Sequence, residues 1–108
     1  MKAFLLPTLA SALLLAVPAQ SEAQTSRAEK LSFCKLVAQA ARLTMEARQS
    51  GVPMVQQMED AGDSAFLQGM VESAYAKPLF STETVQQRQI TEFENQHYAA
   101  CIKHAPSE

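Results

Sequence analysis

Two cysteines and two histidines carry most of the chemistry open to this chain of 108 residues, and three of the four stand together as His97-x3-Cys101-x2-His104. Spacings of three and four residues put all three side chains on one face of a helix. Imidazole and thiolate ligands on one face could hold copper or zinc. A closed structural site asks for four ligands, and the fourth would have to be Cys34, the other cysteine of the chain. A sulfur cannot be both a metal ligand and half of a disulfide, so metal site and disulfide are competing uses of one stripe. On the plainer reading, which the chain as a whole favours, there is no metal and no cofactor. His97 is then a core-edge residue and His104 an exposed helix end.

Other residues with chemical potential read in the same two ways. Met45, Met54, Met58 and Met70 could form a thioether copper site or a pliable apolar groove, but methionines at such spacing more often fill the core of a small bundle. Glu59, Asp60 and Asp63 cluster beside Gly62, where acids usually serve as caps and solvated side chains. Arg48-Gln49-Ser50-Gly51-Val52-Pro53 is a corner that presents a cation and an amide, either to a protein partner or to the end of the preceding helix. Arg88 is a second cation on a polar helix face, a candidate for the same partner. No serine sits in a nucleophile elbow and no glycine-rich phosphate loop occurs, so the expectation is a protein that is not an enzyme.

The compartment bears directly on the cysteines. Lys2, an apolar run from Ala3 to Val17 and a small-residue exit give residues 1–23 the three parts of a secretory signal. Cleavage after Ala19 or after Ala23 fits equally. The apolar core of about a dozen residues falls short of the roughly 20 that cross a bilayer, so no stable span is expected once the leader is removed. Exported thiols pair unless something prevents it, and Cys34 and Cys101 have only each other. A periplasmic or secreted chain with one disulfide is the expectation. Removing residues 1–23 takes Lys2 and Glu22, one charge of each sign, and leaves the net charge at -2. No basic patch survives that balance, which argues against nucleic acid as a partner.

The elements that must position these residues are helices. Glycine and β-branched residues are few, and Ala, Gln, Glu, Leu, Met and Arg dominate. Ser26 to Glu29 fits a capping box, which predicts a first helix from Ser26. Along it Leu31, Cys34, Ala38, Ala41 and Met45 form an apolar stripe flanked by Phe33, Val37 and Ala40. Gly51 and Pro53 end it. A short helix follows with Met54, Val55, Met58 and Ala61 on one side, closed by Gly62. Asp63 or Ser64 caps a third, carrying Phe66, Met70, Val71 and Ala74 up to Pro78. A fourth starts behind Ser81, with Phe80 placed to pack on Val85, and carries Ile90, Phe93, His97, Ala100, Cys101 and His104 on one stripe. The predicted fold is all-α: one domain over residues 24–108, with two long and two short helices stapled by Cys34–Cys101.

Cys34, Met45-x2-Arg48-Gln49-x-Gly51-x-Pro53-Met54, Ala74-Tyr75-x2-Pro78, Ile90-x2-Phe93 and Tyr98-x2-Cys101 together give the chain a pattern. It resembles a family of small exported helical proteins of Gram-negative bacteria with paired cysteines. The resemblance covers nearly all of residues 24–108 and implies export and a disulfide-held helical domain, but carries no activity with it. At the level of class the chain is also similar to periplasmic acid-stress chaperones, likewise small, helical and held by one disulfide, although its cysteines lie farther apart. The function expected is that of a non-enzymatic interaction or structural module in the periplasm. A stress chaperone and a copper or zinc binder are the alternatives.

Overall fold

The computed structural model describes residues 19–104, with side-chain surroundings from Ser26 onward. The apolar run of the expected leader lies outside the described residues. Four helices follow in order: α1 (Ala19–Gln49), α2 (Met54–Ala61), α3 (Ala65–Tyr75) and α4 (Glu83–His104). No strand occurs among the described residues. The two long and two short helices of the sequence reading are present, and Cys34 and Cys101 are bonded with their Cα atoms 5.5 Å apart.

α1 begins at Ala19, seven residues before the capping box, so Ser26 is an interior helical residue and not an N-cap. Ala, Gln, Ser, Glu and one Thr fill Ala19–Thr25, and neither glycine nor proline interrupts the run to Gln49. Helix formation therefore has no reason to wait for Ser26. The C-terminus behaves as its glycine predicts. Gly51 takes φ +85°, the Val52 amide donates to the Ala47 carbonyl at 3.0 Å, and the Gly51 amide donates to Arg48 at 3.1 Å. These two bonds make a Schellman motif, which satisfies carbonyls that the helix end leaves open.

Pro53 stands in front of α2 with extended geometry, and Gly62 closes that helix at φ +58°. The Ser64 hydroxyl accepts from the Leu67 amide at 3.1 Å and caps α3. α4 starts at Glu83, so Thr82 rather than Ser81 precedes it, and the Gln86 amide donates to the Thr82 carbonyl at 3.0 Å. The Gln86 side chain also reaches back to the Phe80 carbonyl, tying the entry segment to the first turn.

α1 and α4 run antiparallel. The disulfide joins them at one level, and Arg42 meets Glu94 at 3.6 Å farther along. Val37, Ala41 and Met45 of α1, Met70 and Ala74 of α3, and Ile90 and Phe93 of α4 form one buried cluster. Complete burial of such side chains stabilises by about 1.5–3 kcal/mol each for the larger ones. α2 adds only Ala61 to the buried set, while Met54 and Val55 stay exposed, contrary to the apolar side expected of that helix. α2 is only eight residues long and packs on α3, wide of the main cluster. Phe66 is also exposed, at 57%, although its spacing aligns it with Met70. The reason is positional: α3 meets the core from Met70 onward, and its first turn stands over a gap.

Candidate functional site

That gap is an open apolar groove of about 430 Å³ between the Phe33 end of α1, the start of α3 and the end of α4. Phe33 and Phe66 form its rims, at 60% and 57% exposure, and Val37 forms part of its floor. α4 contributes His97, Ala100, Cys101 and His104. The volume falls in the range of ligand sites, about 300–1,000 Å³. Helical periodicity put the three α4 residues on one face, and the structure keeps them there, along the groove, with Cys101 also packed against the core.

His97 is half-buried with its ring tilted against Phe93, centroids 4.4 Å apart. Burial pushes its pKa below the ordinary 6.5, since an imidazolium there would lose hydration. His104 is exposed at the groove mouth. Cys101 has its sulfur in the disulfide, so this face offers two imidazoles and no thiolate. Among the described residues no three His, Cys, Asp or Glu side chains are grouped to hold a metal ion.

The Arg48 corner is directed inward. Gln49 is only 5% exposed. Its Nε2 donates to the Pro78 carbonyl at 2.9 Å, and its Oε1 accepts from the Phe80 amide at 2.9 Å. The expectation that Gln49 is offered to a partner is corrected by this burial: both ends of its amide are engaged within the chain. Arg48 donates from Nε and Nη2 to the Lys77 carbonyl at 3.1 and 3.0 Å, and its guanidinium lies over the Tyr75 ring at 4.9 Å from the centroid. Together the two residues clamp the α3–α4 connection onto the end of α1. Arg88 is exposed on α4, in the half of that helix away from the groove.

A second polar junction fixes α2. Gln57 Nε2 donates to the Thr44 carbonyl at 3.0 Å and to the Tyr75 hydroxyl at 3.3 Å, and that hydroxyl donates to the Val52 carbonyl. Of the methionines, Met45 and Met70 are core residues and Met58 is half-buried, while Met54 is 39% exposed. Sequence reasoning missed Phe33 and Phe66 as groove residues. Helical spacing could identify them as apolar, but the splay of α3 from α4 that uncovers them is a tertiary property.

No family model matches the chain, and no curated protein or solved structure is significantly similar to it. No helix of the described residues is long and apolar enough to cross a membrane. A disulfide and the lack of such a helix there are compatible with an extracellular location.

Proposed function

We propose that the chain is an exported, non-enzymatic interaction module of the periplasm or cell exterior that receives an apolar segment of a protein partner in the groove between α1, α3 and α4. One observation carries this reading. Phe33 and Phe66 stand more than half exposed on two sides of one open apolar volume, beside the buried cluster of Val37, Met45, Met70, Ile90 and Phe93. Exposed aromatic rims of this kind are favoured in binding surfaces, where they add contact area with little loss of conformational freedom. Export, from the leader and the paired cysteines, supplies the setting.

Retention of envelope proteins on the oxidised chain tests the reading, comparing wild type with Phe66→Glu and Arg88→Ala. A protein retained by wild type and lost with Phe66→Glu is the expected result. A partner lost only with Arg88→Ala moves the site to the other half of α4, and retention of nothing under any condition sinks the proposal. Intact mass of the exported chain, beginning at Gln20 or Gln24, tests the leader.

A further inference from the structure

The groove between α1, α3 and α4 is lined by apolar side chains and by two ionisable ones, His97 and His104. The two imidazoles differ in setting. His104 stands exposed at the mouth, where a charged ring keeps its water, whereas His97 is half-buried with its ring against Phe93. We infer that the groove receives an uncharged apolar segment and that protonation of His97 expels it, so the partner is held at neutral pH and released on acidification. This rests on the partner reading above and adds the chemistry of the occupant and the control of its binding.

An apolar occupant takes water away from whatever it covers. A neutral imidazole bears this at modest cost, but an imidazolium stripped of water needs a counter-ion. None lines the groove. From α1 the lining residues are Phe33 and Val37, and from α3 Phe66. The charged residues next to them in the chain are Lys30, one turn before Phe33, and Asp63, three residues before Phe66; neither lines the groove. On α4, Lys103 adjoins His104, and Glu94, one turn before His97, is paired with Arg42 of α1 at 3.6 Å. The Phe93 ring offers an imidazolium some cation–π attraction, yet burial outweighs it, since the pKa of His97 already lies below the ordinary 6.5 in the open groove. A bound segment deepens that burial. By reciprocity, the proton must weaken the segment by the factor with which the segment opposes the proton. The same balance fixes the chemistry of the occupant. A carboxylate in it would supply the missing counter-ion and turn release into capture, and a lysine or arginine would be buried unpaired at any pH.

Nile red, a neutral apolar dye that does not titrate near neutrality, serves as the probe. Its fluorescence is titrated with the exported, oxidised chain at about pH 7.5 and about pH 5, and the part abolished by Phe66→Glu is taken as groove binding. For that part Kd should rise about five- to tenfold on acidification, the limit for one proton that must leave before the dye can enter. In His97→Gln the two affinities should agree within about twofold, while His104→Gln keeps the dependence of wild type. Groove binding that is equal at both pH values overturns the inference and leaves the partner reading standing. Acid weakening that persists in His97→Gln overturns it too, by assigning the effect to other groups. Tighter binding at about pH 5 reverses its sign and favours a chaperone that opens in acid. Dye binding that Phe66→Glu leaves untouched at both pH values removes the groove as a receptor, and this inference falls together with the partner reading.

Discussion

Gln49 shows how much one buried side chain can hold. Its amide donates to the Pro78 carbonyl and accepts from the Phe80 amide, so Gln49→Leu leaves two backbone groups without partners. A loss of about 2–3 kcal/mol is expected in urea denaturation, and Gln49→Glu, which buries a carboxylate and sets one of its oxygens against the Pro78 carbonyl, should lose at least as much at neutral pH. Because the clamp grips main-chain atoms, the constraint is one-sided. Lys77→Ala should leave stability within about 0.5 kcal/mol of wild type. His97 supplies the pH dependence at this scale. With its pKa lowered in the folded state, the unfolded chain binds the proton more readily between that value and 6.5. The contribution is therefore intact above pH 6.5 and lost as the pH falls through the folded value. The denaturation midpoint of wild type should drop over that window, and the drop should be smaller in His97→Gln.

Helix ends separate what the chain announces locally from what it does not. Gly51, Gly62 and Ser64 mark their boundaries because each meets a requirement inside its own turn: a positive φ at the two glycines and a hydroxyl acceptor for Leu67 at Ser64. Ser64→Ala should therefore cost about 1 kcal/mol, read as a lowered thermal midpoint. The disulfide and the core stripe of α1 were legible for a similar reason, since two cysteines and a 3.6-residue period leave few alternatives. The start of α1 was not, because Ala19–Thr25 contains no stop signal and a capping box can sit inside a helix. The Gln49 clamp was equally hidden, its partners being backbone atoms 29 and 31 residues away that no side-chain identity betrays. Of the groove, sequence supplied the α4 wall of His97, Cys101 and His104. It gave no sign that Phe66 lies across from them.

The whole molecule depends on one covalent tie, Cys34 to Cys101, with a sequence separation of 67. By the chain-entropy account, closing a loop of that length stabilises by about 4 kcal/mol. Reduction, or Cys34→Ala with Cys101→Ala, should lower the unfolding free energy by an amount of that order. α1 up to Phe33 lies outside the closed loop, so its amides should exchange hydrogen faster than those of Ala38 to Met45, which lie in the core. The same tie has a topological consequence. The exposed turn at Gly62 and Asp63 sits within the ring, so a protease that cuts there produces a two-chain molecule and releases no fragment. Such a nicked protein should run as one band on a non-reducing gel and as two once thiol is added.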